Sequence, residues 1–235
     1  MDNDAKACYD CIVMLLATII SGHFGIPKEA RDLQARAIRQ MQFHVKTALG
    51  ISMEHYEDTE TSPLHGSGQG SGSSAPLWLF ISSIIMDCFE DIAHGMEMTN
   101  MDTTERLKQW IDGFVDDTSI FTSLKGKNLA PPTTAVAAQL QHDTQEWEKL
   151  LAMTGGKLEL SKCFYYILQW KFDEEGKPTH TTKDELETMG VTIQVQEAGN
   201  VAPMTIKHMD CATAHRTLGL HKNPCLLYTS DAADE

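Results

Sequence analysis

Trp110-Ile111-Asp112-Gly113-Phe114-Val115-Asp116-Asp117-Thr118-Ser119-Ile120-Phe121 decides how this chain is read. Two short apolar runs flank a pair of adjacent aspartates. The runs read as the arms of a β-hairpin, with the aspartates at its tip. Neighbouring carboxylates repel one another unless a cation lies beside or between them. Oxygen-rich sites of this kind suit Mg²⁺, which is held by one or two carboxylates together with substrate phosphates. Taken alone, the same pair is equally a solvated acidic turn, so its meaning depends on the rest of the chain.

The bulk numbers set broad limits. The 235 residues are 42% hydrophobic and 22% charged, ordinary values for a chain able to bury a core. The longest apolar run, residues 11–21, is about half the ~20 residues a membrane-spanning helix needs. The start, Met1-Asp2-Asn3-Asp4, is acidic where a secretory signal is basic. An intracellular protein, in cytoplasm or nucleus and without a membrane partner, is expected. The net charge of −14 is awkward for a protein that grips nucleic acid. The six cysteines show no regular framework, and Cys8-x-x-Cys11 lacks a second ligand pair at zinc spacing. The ten histidines are scattered, with no HExxH-like cluster. Residues 225–235 resemble a translated sequencing adapter and are set aside from fold reasoning as a non-native tail.

Along the chain, residues 2–6 read as a short strand and 10–20 as a buried helix. Pro27 opens a helix expected to run to about Leu49 and to stop at Gly50. Residues 51–56 read as a strand, and 65–74 as a Gly/Ser-rich breaker. Pro76 opens a long apolar helix ending near Gly95. Residues 133–153 form an amphipathic helix with Val136, Leu140, Trp147 and Leu151 near one face, closed by Gly155-Gly156. Residues 163–172 read as one strand, 173–178 as a turn, and 191–196 and 204–209 as further strands. A few strands among several helices give an α+β class.

Three further pieces accompany the aspartate hairpin. In Asp4-Ala5-Lys6-Ala7-Cys8-Tyr9-Asp10 a strand-end carboxylate is followed five residues later by an aromatic. The segment from Gly66 to Pro76 is a glycine-rich loop, with Gln69-Gly70 at its centre, feeding a helix. In Gly155-Gly156-Lys157-Leu158-Glu159-Leu160-Ser161-Lys162-Cys163 a lysine precedes a strand. In this order and spacing the set resembles the palm domain of reverse transcriptases, closest to non-LTR-like retrotransposon enzymes. Asp4 to Asp10 is similar to motif A and the glycine-rich loop to motif B. Phe114-Val115-Asp116-Asp117 is similar to motif C, Lys162 to the motif D lysine, and Arg216-Thr217-Leu218-Gly219-Leu220 to the segment near motif E.

The resemblance implies a polymerase palm over residues 1–224: an antiparallel sheet carrying a catalytic Asp-Asp hairpin and packed on helices. Most of the fingers would precede Met1, and the thumb would follow Pro224. It implies RNA-directed DNA polymerisation, with RNA template, DNA primer and deoxynucleoside triphosphates as partners. The chemistry is an in-line displacement at phosphorus assisted by two Mg²⁺ ions about 4 Å apart, with Mn²⁺ as a substitute. Asp4 and Asp116 would bind both metals, with Asp117 assisting. Ala5, Tyr9, Gln69 and Gly70 would contact the nucleotide. Tyr9 would act as a steric gate whose ring collides with a ribose 2′-hydroxyl. Lys162 would protonate or neutralise the leaving pyrophosphate.

Gly68-Gln69-Gly70 stands where many members of the family have Pro-Gln-Gly, and on composition alone the loop is equally a linker. The absence of the GxxxxGK[ST] lysine argues against a P-loop. The acidic balance fits a metal-binding floor whose phosphate-gripping residues lie in other domains, so weak template–primer binding by this chain alone is expected. Two other readings stay open: an RNA-dependent RNA polymerase, and an inert fragment acting only in nucleoprotein assembly.

Overall fold

In this computed structural model the anticipated hairpin lies inside the largest sheet. The structure describes residues 1–6, 8–60, 64–67, 71–100, 102–124, 133–217, 220–222 and 224. The adapter-like tail, Gln69 and Gly70 fall outside them. In chain order the elements are β1 (Asp2–Asp4), α1 (Cys8–Cys11), α2 (Met14–His23), α3 (Lys28–Arg39), β2 (Gln42–Thr47), β3 (Gly50–Glu57) and α4 (Ser74–Ile92). Then come β4 (Met96–Thr99), β5 (Arg106–Gln109), β6 (Ile111–Phe114), β7 (Asp117–Ile120), α5 (Thr133–Met153), β8 (Phe164–Tyr165) and β9 (Trp170–Phe172). The remainder are β10 (Pro178–His180), α6 (Lys183–Thr188), β11 (Gln194–Val195), β12 (Met204–Thr205), β13 (Lys207–His208), β14 (His215–Thr217) and β15 (Leu220–Lys222). The class is α+β, with sheets that are mostly antiparallel.

The five-stranded sheet runs β13-β8-β1-β7-β6, and only its β13–β8 edge pair is parallel. Strand β1 sits in the middle, although it is contributed by the first residues of the chain. Side chains alternate across it: Asn3 and Ala5 are buried, while Asp2 and Asp4 are half-buried on the opposite face. Strand β7 alternates in step, with Thr118 and Ile120 buried and Asp117 and Ser119 half-buried. Register Asp4↔Asp117, Asn3↔Thr118 and Asp2↔Ser119 therefore places one face against the helices and leaves a polar face open.

Helices α4 and α5 cover the buried face. On α5, the buried positions Ala137, Leu140, Thr144, Trp147 and Leu151 recur every three or four residues, which makes one stripe. On α4, Leu77, Trp78, Ile81, Ile85 and Phe89 make the facing stripe. Trp147 meets Phe89 edge-on at 5.4 Å between ring centroids. Each fully buried large side chain of this kind contributes about 1.5–3 kcal/mol, so this contact helps lock the two helices together behind the sheet. Among the described residues no helix is long and apolar enough to cross a membrane.

Several expectations are corrected. The helix opened by Pro27 ends at Arg39, and the following residues form the β2–β3 hairpin, in which Phe43 stacks on Tyr56 at 5.2 Å. The apolar run near residues 10–20 is two helices broken at Ile12-Val13, because the Val13 N–H donates to the Thr154 carbonyl instead of continuing a helix. The expected single strand over 163–172 is two short strands, β8 in the large sheet and β9 in a hairpin with β10. The β4–β5 hairpin and α6 were not anticipated.

Candidate active site

The open polar face of the sheet collects residues from three distant segments. Asp4 closes β1 and lies directly opposite Asp117, the first residue of β7. Opposed residues on neighbouring antiparallel strands have Cα atoms about 4.5–5.5 Å apart. Asp116 occupies the two-residue turn between β6 and β7, and its carbonyl accepts a hydrogen bond from the Ala5 N–H at 3.1 Å. Two carboxylates directly across a strand pair repel, so the pairing needs a compensating cation. Lys162 supplies one: its Nζ lies 2.6 Å from Asp4 Oδ2. The hydrogen bond to Asp4 and that carboxylate's charge hold the ammonium above the usual lysine range. Glu159 and Asp116 add to the effect.

The Lys162 segment is placed by backbone bonds. Ala5 bridges Leu158, the Glu159 N–H donates to the Asp4 carbonyl at 2.8 Å, and the Lys6 N–H donates to the Lys157 carbonyl at 2.8 Å. Lys6 pairs with Glu159 at 3.3 Å, which leaves Lys162 as the cation on Asp4. The neighbouring Cys163 is buried, and burial pushes its thiol up to about 11, so it stays protonated and is not a nucleophile.

The tip of the hairpin is held from behind. Val115 has φ of 58°, a left-handed conformation that a β-branched residue rarely adopts. The Trp78 indole N–H, from the first turns of α4, donates a short hydrogen bond to the Val115 carbonyl. Tyr9, on α1, is half-buried against the core. Its carbonyl accepts from the Ser67 N–H at 2.9 Å, and the Gly66 N–H donates to the Ile12 carbonyl at 2.8 Å. The start of the glycine-rich loop is therefore stitched to the turn that carries Tyr9. Gly66 (φ +91°) leaves no room for a side chain: a Cβ would sit 2.6 Å from the Asp10 Cα.

Asp4, Ala5, Asp116, Asp117 and Lys162 are thus brought together, with Tyr9 fixed beside the loop. Gln69 and Gly70 lie outside the described residues. The Arg216–Leu220 segment falls in the β14–β15 hairpin, with Leu218 and Gly219 outside the description. A divalent ion fits the donor chemistry here: three carboxylates share one end of the sheet, and an ammonium already sits on one of them. The three aspartates are not, however, the group that is gathered at ligating separation. Among the described residues that group is His94, His142 and Asp143, whose ligand atoms all lie within 4.8 Å of one another. Sequence reading missed it, because His94 follows α4 while His142 and Asp143 sit on α5, and no local spacing links them. No family model matches the chain, and no curated protein matches it.

Proposed function

We propose that this chain is the catalytic floor of an RNA-directed DNA polymerase of the palm type, adding deoxynucleotides to a primer end. One observation carries the reading. Segments near residues 4, 116 and 162 have no reason in local sequence to meet, yet Asp4 lies opposite Asp117, the Ala5 N–H is bonded to the Asp116 carbonyl, and Lys162 sits on Asp4. In the reaction the primer 3′-hydroxyl forms a bond to the α-phosphorus of the incoming nucleotide, and the bond to the departing pyrophosphate breaks. Mg²⁺ held by Asp4 and Asp116, with Asp117 assisting, would supply acidification of that hydroxyl and charge neutralisation on the pyrophosphate.

The chain's own residues do the rest. Asp4 and Asp116 would hold the metal against which the reacting phosphate is fixed, since bare carboxylates repel it. Lys162, charged at neutral pH and held on Asp4, is the group able to hand a proton or a positive charge to the departing pyrophosphate. Tyr9, whose backbone carbonyl is held by the Ser67 N–H, would present its ring beneath the sugar and exclude a 2′-hydroxyl.

The test is primer extension on an RNA template, using residues 1–224 within their full reading frame. Asp116→Asn is expected to lower Mg²⁺-dependent extension by about 10²–10³-fold, the scale of losing several kcal/mol of transition-state stabilisation. Tyr9→Ala is expected to admit ribonucleotides. Extension that is undiminished in Asp116→Asn, or absent from the parent, would overturn the reading. A preference for ribonucleotides in the parent would point to an RNA polymerase instead.

A further inference from the structure

A second cluster lies beyond the base of the aspartate hairpin, at the end opposite its tip. Trp78, which holds the hairpin tip, is near the start of α4, and His94 follows its end. The fourteen steps from Trp78 to Ile92 rise roughly 21 Å along the helix. Here Asp143 of α5 is fully buried. Its Oδ1 accepts the His94 N–H at 3.2 Å and lies 2.6 Å from His94 Nδ1 and 3.3 Å from His142 Nδ1. Its Oδ2, equally buried, has no hydrogen-bond partner. An unsatisfied oxygen on a buried carboxylate is costly. The two imidazoles reach the same spot from the solvent side, with side chains 44% and 51% exposed.

We propose that His94, His142 and Asp143 form a binding site for a first-row transition-metal dication, Zn²⁺ foremost, that fastens the end of α4 to α5. Two imidazoles and one carboxylate suit Zn²⁺, Co²⁺ and Ni²⁺, whereas Mg²⁺ and Ca²⁺ prefer all-oxygen shells. Ligand atoms around a tetrahedral Zn²⁺ stand about 3.3 Å apart, given Zn–N bonds of about 2.0–2.1 Å. The ligand atoms already lie within 4.8 Å of one another, with the ring nitrogens 2.6 and 3.3 Å from Oδ1, so small turns of the two exposed rings bring all the separations to that value. The orphaned Oδ2 gains a cation partner, and solvent fills the fourth position. Helix α5 is gripped at Asp143, one turn before Trp147, so the metal reinforces the same helix pair that backs the sheet.

A plain hydrogen-bonded pair of imidazoles on Asp143 is the competing account, and the experiment separates the two. The purified full chain, free of metal, is titrated with Co²⁺ and followed by visible absorption, and with Zn²⁺ and followed by thermal melting. One Co²⁺ per chain, giving visible ligand-field bands, is expected. At a hundredfold excess over Kd, Zn²⁺ is expected to raise the melting temperature by several degrees. His94→Ala and His142→Ala change exposed side chains and should fold, which circular dichroism checks. Each is expected to weaken Co²⁺ binding at least tenfold, and excess Mg²⁺ should leave the bands in place. No melting shift and no bands in the parent would overturn the proposal. So would unchanged binding in the His94→Ala/His142→Ala double variant, or a thiolate-to-cobalt band showing that cysteines hold the ion. These readouts do not depend on polymerase activity, so the two proposals stand or fall separately.

Discussion

Val115 shows at the scale of one residue how a site is set against local preference. A two-residue hairpin loop normally places Gly or Asn where the backbone turns left-handed. This loop places a β-branched side chain there, at φ of 58°, and the Trp78 indole fixes its carbonyl. Such outliers store about 1–3 kcal/mol and persist only where surrounding structure dictates them. The adjacent residues are Asp116 and Asp117, so the strain sits at the tip that presents both carboxylates. The two apolar arms and the acid pair were legible in the sequence. The strain was legible only as a mismatch between the turn and its residue. Val115→Gly is therefore expected to raise stability by about 0.5–1 kcal/mol, strain relief exceeding glycine's unfolded-state entropy. Urea denaturation checks this, and a loss of 1 kcal/mol or more would mean that the conformation is unstrained.

Among the elements, α5 does the most to position the candidate site. Its Glu148 is buried, and burial raises the carboxyl above the ordinary glutamate range, against the pull of two backbone donors. Those donors are the Leu158 N–H at 2.7 Å and the Ala198 N–H at 3.1 Å. Leu158 bridges Ala5, so Glu148 pins the segment that carries Lys162 to Asp4. Glu148→Ala leaves both donors unpaired and is expected to cost about 2–4 kcal/mol in urea denaturation, with an unchanged m-value. A cost below 1 kcal/mol would show that water replaces the carboxylate. Helix α5 itself was legible with its exact bounds, because a long apolar stripe ends at paired glycines. Helix α3 was read too long, since the step from Arg39 to Phe43 carries no glycine or proline and only pairing with β3 reveals the strand. The Thr182/Glu185 capping box that opens α6 is present in the sequence. The buried Glu148 and the His94 cluster were illegible for a different reason. Their partners lie ten to fifty residues away, and tertiary packing alone brings them into reach.

For the molecule as a whole, stability should depend on pH through opposing effects. The net charge of −14 means that acidification first relieves self-repulsion. His208 works the other way. It is buried on β13 at the edge of the large sheet, stacked flat on Tyr165 at 4.6 Å, and its Nδ1 has no hydrogen-bond partner. Burial lowers its pKa below the ordinary 6.5. Glu187 and Asp210 pull upward, and Lys183 pushes downward. The unfolded chain therefore takes up this proton more readily than the folded one. The stability that the neutral ring contributes is full above about pH 6.5 and is lost as pH falls toward the folded value. Between pH 6.5 and 5.5 that loss is at most about 1.4 kcal/mol. His208→Phe keeps a flat ring against Tyr165 and removes the titration. Urea midpoints at pH 7.5 and 5.5 are expected to fall less in the variant than in the parent, because the charge relief common to both cancels in the comparison. Equal falls would mean that His208 protonates in place, with Glu187, now 3.9 Å away, closing on the charged ring.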